Sequence, residues 1–509
     1  MKTIAVLFFL QLSLIVVSAQ NTGFMFRRVL DTPYPRHSGT AGGDMVVADF
    51  NGDSRLDIIV TGLQNTSKIT WIYYQNSTGG FESPVQTEHG LPALDRGAVI
   101  RAADMNNDGK TDIVAYGRTG VAMQTSLFNV YLNNGNGVFS LSCKLGDLLP
   151  SEDFADVSGS WGKAGNQPDN KTDSEVKGLY NAQGWSKGVL ELIDVNRDGL
   201  IDILFAGTKG TESGTDAAGQ MIQRDWETSG VFINRGNRNF NYFSSAGYPQ
   251  AGVPANCENS PERSYPGIAK VSRGFSASAD FNNDGLIDVV VFGQANIGQL
   301  ANGGIPETQR NGLPISEVYL QNGDGTFRVS DRTGLPALID GSVITADFNS
   351  DGNADIILMG NSGHPSAPAG GRVTQIYHGK GDGTFVLDSN QSYGPVPNSA
   401  AGLVQMMSGD LGCGDLDGDG DIDLAAIGNA NDKALYVYEN INGIYNIVHL
   451  DKMRNGIGSN SISGTAQSDA SNEGDLWVGD IDGDGDCDII VNGRGGSFQL
   501  LVFANKKND

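Results

Sequence analysis

The sequence predicts an all-β chain folded as a seven-bladed β-propeller of four-stranded antiparallel blades, and three recurrences predict it. An acidic segment of the form D-x-[DN]-x-D-x-x-x-D returns seven times. Each copy lies between two short apolar runs, and six copies are followed by a further strand-like run, an Asn/Gly turn and another run. Four strand-like runs per unit, repeated seven times, is the pattern of a propeller.

The acidic segments span 49–57, 104–112, 194–202, 280–288, 347–355, 415–423 and 480–488, and their starts are 55, 90, 86, 67, 68 and 65 residues apart. The spacing is that of whole structural units, with long connections in some. The run after each segment is rich in β-branched residues and reaches a glycine: DIIVTG, DIVAYG, DILFAG, DVVVFG, DIILMG, DLAAIG and, with an Asn before it, DIIVNG. Such runs read as strands ending in turns. Gly43, Gly188, Gly274, Gly341, Gly409 and Gly474 each lie six residues before a segment, with Gly97 displaced by one, which marks a common start for an inner strand. IYYQNSTGGF, VYLNNGNGVF, VFINRGNRNF, VYLQNGDGTF, IYHGKGDGTF and VYENINGIYN carry the third strand, the turn and the outer strand. The last unit ends after its third strand, LLVFANKKND. The stretch Phe24 to Leu30 is therefore expected to complete the seventh blade and close the ring without an unprotected sheet edge, leaving no appended C-terminal sorting domain.

Alternating short oxygen side chains on a tight loop suit a hard cation that takes six to eight oxygens. The candidate ligands are Asp49, Asn51, Asp53 and Asp57; Asp104, Asn106, Asp108 and Asp112; Asp194, Asn196, Asp198 and Asp202; Asp280, Asn282, Asp284 and Asp288; Asp347, Asn349, Asp351 and Asp355; Asp415, Asp417, Asp419 and Asp423; Asp480, Asp482, Asp484 and Asp488. These are positions 1, 3, 5 and 9, and the carbonyl of position 7 adds an oxygen. Glycine at position 6 permits a positive φ; Ser54 stands there in the first loop, whose site is expected to be weaker. The segments are not EF-hands, because position 12 holds Val60, Ala115, Phe205, Val291, Leu358, Ala426 and Val491 and never Glu. Up to seven Ca2+ are expected.

With these motifs the chain resembles the FG-GAP/VCBS repeat family, which includes the propeller heads of integrin α subunits. The resemblance covers the mature chain. It implies calcium in the hairpin between first and second strands of each blade, on one face of the ring, and a protein- or glycan-binding surface on the opposite face. Some relatives of this kind are lectins, and related calcium-bearing propellers are polysaccharide lyases. Integrin heads carry the loop in only some blades; all seven here carry it, which is closer to the soluble lectin or bacterial VCBS branch.

Residues 1–19 read as a secretory signal peptide cleaved after Ala19, with Lys2, an apolar core from Ile4 to Val17 and a small-residue site at Val17-Ser18-Ala19. Residues 20–509 are then one propeller domain, secreted, periplasmic or held at the surface, without membrane insertion. The composition agrees with this reading: 509 residues, 70 Gly, 34 Lys+Arg against 59 Asp+Glu and a net charge of -25. So acidic a chain, lacking basic blocks, is a poor nucleic-acid or anionic-membrane binder. Four Cys do not build a disulfide scaffold. Three acids in each of the first five segments and four in each of the last two place 23 of the 59 in the loops. Much of the acidity is thus ligand chemistry.

Specificity is expected in the long connections Ser142 to Lys187, Thr208 to Gly230, Asn241 to Arg273, Gln294 to Ile315 and Leu450 to Gly474. Trp161, Trp185, Trp226, Tyr248, Tyr265, Arg224 and Arg263 are the ligand-face candidates, able to stack on sugars or anchor a protein. Catalytic motifs are absent: no G-x-S-x-G, H-E-x-x-H or Walker loop occurs. His37, His89 and His364 fall in loops of that same face and His378 on a third strand. The expected function is a non-enzymatic binding or scaffold module for a glycan or protein. A polysaccharide lyase and a purely structural surface protein are the alternatives. Cys143 and Cys257 lie in consecutive connections where a disulfide is open to them, and Cys413 and Cys487 read as buried thiols.

Overall fold

Each of the acidic segments turns the chain between two neighbouring strands, and the strands assemble into seven blades around a ring. The computed structural model describes residues 26–28, 40–119, 126–149, 188–215, 221–244, 268–295, 313–330, 333–363, 371–394, 402–430, 433–448, 474–495 and 497–505. Residues 1–19, expected as a signal peptide, lie outside them. Among the described residues there is no α-helix, only a 3-10 turn at Leu145–Leu148, and no helix is long and apolar enough to cross a membrane.

The second blade shows the plan. Val99–Ala103 is innermost, followed outward by Asp112–Arg118, Ser126–Asn133 and Phe139–Lys144, all antiparallel. Blades 3 to 6 repeat it from inner strands Val189–Ile193, Ser272–Ala279, Ile339–Ala346 and Met407–Gly414. In the seventh sheet Asp475–Gly479, Asp488–Gly495 and Ser497–Asn505 are joined by Phe26–Arg28, which pairs antiparallel with the last of them, Phe26 opposite Asn505. The first blade is a three-stranded ladder, Ala41–Ala48, Asp57–Gln64 and Ser67–Tyr73; its outer edge is formed by single bridges, Gln75 to Phe81 and Ile72 to Val85. Pro84 has no N–H to extend that ladder.

Second strands run apolar after their opening Asp because both faces are covered: the first six residues of Asp57–Gln64, Asp112–Arg118 and Asp355–Asn361 are all buried. Burial on two faces removes the polar alternation of a one-sided sheet. Each face feeds a different core. Ile59 packs with blade 2 residues Ile100, Ile113 and Tyr131, whereas Ile58 and Val60 pack with Ile481, Ile490 and Val502 of blade 7. The described residues form seven such clusters, one at each blade-to-blade junction. Inner strands also pack neighbour to neighbour, and Asp475–Gly479 meets Ala41–Ala48.

Gly188 and Gly474 stand immediately before their inner strands and Gly97 just before its own, as expected, whereas Gly43, Gly274, Gly341 and Gly409 sit inside theirs. In blades 1, 4, 5 and 6 the ladder shifts register beside them. The bulge drives the backbone onto the second strand: a Cβ on Gly341 would lie 1.8 Å from the carbonyl oxygen of Met359, and one on Gly409 1.9 Å from that of Ile427. No other residue fits such an approach.

The Thr208 to Gly230 connection differs from expectation. Asp202–Thr215 and Met221–Asn234 are 14-residue strands paired as far as Thr215 opposite Met221, with a shift between Thr208 and Gly210. The inner strand Val189–Ile193 pairs only with 202–206, so the remainder continues past the blade as a two-stranded arm.

Candidate metal centres

Each acidic loop is built on two left-handed residues. Position 6 has φ between 65° and 97°, occupied by Ser54 in the first loop and by Gly109, Gly199, Gly285, Gly352, Gly420 and Gly485 in the others. Position 4 is left-handed as well, although Asn107, Arg197, Asn283 and Ser350 hold it alongside Gly52, Gly418 and Gly483. A Cβ on Gly109, Gly199 or Gly285 would meet nothing within 4 Å, so φ and not space selects glycine there.

These two bends turn backbone N–H groups and side-chain oxygens toward one centre. One oxygen of the position 1 Asp accepts the N–H of position 6 at 2.7–3.0 Å in all seven loops. The Oδ1 of position 5 accepts the N–H of position 7 at 2.8–3.1 Å. In the first six loops the Oδ1 of position 3 accepts the N–H of position 5 at 2.9–3.1 Å. One oxygen of Asp415, Asp417 and Asp419 lies within 4.8 Å of the others, and the same holds for Asp480, Asp482 and Asp488. Calcium–oxygen distances are about 2.3–2.6 Å, so oxygens this close can share one ion. The donor set fits calcium: short carboxylates and amides on a bent loop.

Position 9 does a second job. Asp57, Asp112, Asp202, Asp288, Asp355, Asp423 and Asp488 are fully buried. Each accepts the N–H of position 2 on Oδ2 and that of a third-strand residue on Oδ1, at 2.7–3.1 Å. Burial pushes the carboxyls of Asp57, Asp112 and Asp202 up to about 6 and those of Asp288, Asp423 and Asp488 up to about 7, against the pull of those N–H donors.

The third-strand residue is Asn or Gln in six blades. In five of them its side-chain amide crosses to the blade before. Asn133 Nδ2 donates to Phe50 O at 2.9 Å, Asn234 Nδ2 to Met105 O at 2.9 Å, Gln321 Nε2 to Asp194 O at 3.3 Å and Gln75 Nε2 to Ile481 O at 2.7 Å, while Asn505 Nδ2 donates to Leu416 O. All five acceptors belong to positions 1 or 2 of an acidic loop. A loop therefore anchors its own blade through position 9 and receives the next blade through its opening carbonyls. Blade 5 has Gly379 instead, where a Cβ would lie 2.2 Å from Ala354 O, and Asn440 in blade 6 turns to Ile422 O of its own blade at 3.2 Å.

The geometry matches a known repeat: residues 49–115 and 280–358 fit the family model of the FG-GAP-like repeat. The chain is a seven-bladed β-propeller that carries FG-GAP-like repeats at those two segments. No curated protein sequence matches this FG-GAP-like propeller. Solved structures similar to it include a rhamnogalacturonan lyase PL11 of Bacillus licheniformis, at 12% identity and a TM-score of 0.42, covering 94% of this chain and 76% of the lyase. The V. cholerae biofilm matrix protein Bap1 is similar at 12% identity and a TM-score of 0.35, covering 95% of this chain and 91% of Bap1.

Other expected site residues scatter. Trp161, Trp185, Tyr248, Tyr265, Arg263, His37, His364 and Cys257 lie outside the described residues. Arg224 and Trp226 belong to the arm, opposite Glu212 and Gly210. His89 is not an open loop base: it is 1% exposed, its Nε2 bonds Thr70 O at 2.9 Å and its Nδ1 accepts the Leu91 N–H at 3.1 Å. Cys143, Cys413 and Cys487 are free half-buried thiols. His378 was expected on a third strand and is there, with Nδ1 3.2 Å from Asp355 Oδ2 and 3.1 Å from Asn349 Nδ2.

Proposed function

We propose that the protein is a secreted, calcium-stabilised propeller acting as a non-enzymatic binding or scaffold module, taking a glycan or protein on the face away from the acidic loops. The observation that carries the calcium reading is the shared loop geometry, in which alternate carboxylate or amide side chains are set by the same two left-handed bends and the same hydrogen bonds to the position 1 Asp in every blade. The binding reading is supported by the arm that leaves blade 3 on the side opposite its acidic loop, with Arg224 and Trp226 along it. A lyase would need an available base, and His89 has both ring nitrogens engaged with the backbone.

Chelation tests the calcium reading. A ligand present at a hundredfold its Kd adds about 2.7 kcal/mol per site to the native state. Removing calcium with a chelator is expected to lower the melting temperature, with recovery on adding calcium and not magnesium. An unchanged melting curve would end the proposal. For the binding reading, a glycan array run beside an assay for unsaturated lyase product is expected to give array binding without product; steady product formation would make the protein an enzyme.

A further inference from the structure

Resting on the calcium reading, we propose that the seven loops are of two grades, and that loops 415–423 and 480–488 form a high-affinity pair which locks the blade joining the two ends of the chain. The five other loops fill at higher calcium.

Four observations support the division. First, position 3 is Asn51, Asn106, Asn196, Asn282 and Asn349 in the first five loops but Asp417 and Asp482 in the last two, so these two loops have four carboxylates at the ligand positions and the others three. Calcium affinity rises with ligand charge and with the rigidity of the site. Second, among the described residues the groups of three carboxylate oxygens within 4.8 Å of one another fall in these two loops. Third, Asp417 is 7% exposed, the most buried residue at position 3; Asp482 is half-buried like Asn51, Asn196 and Asn282, and Asn106 and Asn349 are exposed. A buried carboxylate among other carboxylates is held in place at a cost that a cation removes. Fourth, position 7 is Asp421 and Asp486 in these loops and never acidic in the others, which adds charge beside the centre.

Their place in the ring gives the pair a task. Blade 7 is assembled from residues far apart in sequence, 475–505 and 26–28. It is held on one side by Asn505 Nδ2 on the Leu416 carbonyl, which is position 2 of loop 415–423. On the other side Gln75 Nε2 of blade 1 bonds the Ile481 carbonyl, position 2 of loop 480–488. Each acceptor is flanked by two ligand positions, Asp415 and Asp417 or Asp480 and Asp482. An ion drawn to those carboxylates fixes the carbonyl between them. The two most acidic loops thus sit at the two junctions of the one blade whose strands do not follow each other in sequence, where closure of a long chain segment costs most.

The test is a calcium titration of the full chain followed by calorimetry and native mass spectrometry, with hydrogen exchange read at each step. Two ions are expected to bind at least about tenfold more tightly than the rest, with residues 26–28 and 497–505 gaining protection at that first step. Asp417→Asn together with Asp482→Asn is expected to merge the two classes. Asn196→Asp, which adds charge to a loop elsewhere, is expected to create a third tight ion; this gain cannot be imitated by misfolding. Seven ions of one affinity, or no third tight ion in Asn196→Asp, would overturn the two grades and leave the calcium reading standing. First-step protection confined to other blades would overturn the locking role. Binding of no calcium at all would remove the proposed function and this inference together.

Discussion

Ser54 holds a conformation that its six counterparts give to glycine, with φ at 65°. A left-handed non-glycine residue costs about 1–2 kcal/mol, and glycine returns part of that through its freedom in the unfolded chain. Ser54→Gly is therefore expected to stabilise the protein by about 0.5–1 kcal/mol in urea unfolding; a loss would show that the serine side chain contributes more than the strain removes. His89 makes the second residue-scale prediction. Burial lowers its pKa below 6.5, and its Nδ1 can accept the Leu91 N–H only when neutral. The unfolded state therefore takes a proton first as pH falls, so the stability His89 provides is complete above about 6.5 and declines below it. Measured in saturating calcium, wild type is expected to lose more stability than His89→Gln between pH 7 and pH 5; parallel curves would refute this. Position 6 was readable in the sequence because glycine marks it. Position 4 was not, since Asn, Arg and Ser occupy the same left-handed bend, held there by the hydrogen bonds around it.

Between neighbouring blades, the clamp is the repeated element. Asn133 sends Nδ2 to Phe50 O and Thr111 O and accepts the Gly135 N–H at 2.8 Å. Asn133→Ala leaves these buried partners unpaired and is expected to cost about 2–3 kcal/mol, read as a shift in urea midpoint. A cost near zero would mean that water replaces the amide. Gly341→Ala should be at least as damaging, because its Cβ would enter the Met359 carbonyl. Strand and turn positions were predicted well, since continuous apolar runs and Asn/Gly turns are local signals. The clamp itself was hidden: an Asn that begins a turn and an Asn that reaches the preceding blade are written with the same letter. The arm was misread for a related reason. TKGTESGT is polar and has two glycines, which are loop signals, yet it pairs with MIQRDWET across a ladder that local composition does not report.

At the scale of the whole molecule, the described residues form a chain of cores and not a single one. Apolar residues of two adjacent blades meet in each of seven clusters, and every blade serves two of them. Ring architecture was predictable because the seven acidic loops count the blades. Residues of the expected ligand face were not so marked, because the aromatic candidates lie in connections that follow no repeat. On the proposed calcium reading, chelation is expected to loosen the molecule junction by junction, so chelated protein should show a broader thermal transition than calcium-loaded protein; equal widths would argue for concerted unfolding.

The pairing of Phe26 with Asn505 has one more consequence. These two residues face each other across an antiparallel ladder, as the third and outer strands of other blades do on either side of their Asn/Gly turns. A short turn joining them would make the seventh blade a continuous hairpin, and new ends could be opened in the connection between blades 1 and 2, after Asp95. Such a circular permutant should fold to the same ring, since every blade would still meet the same two neighbours wherever translation begins.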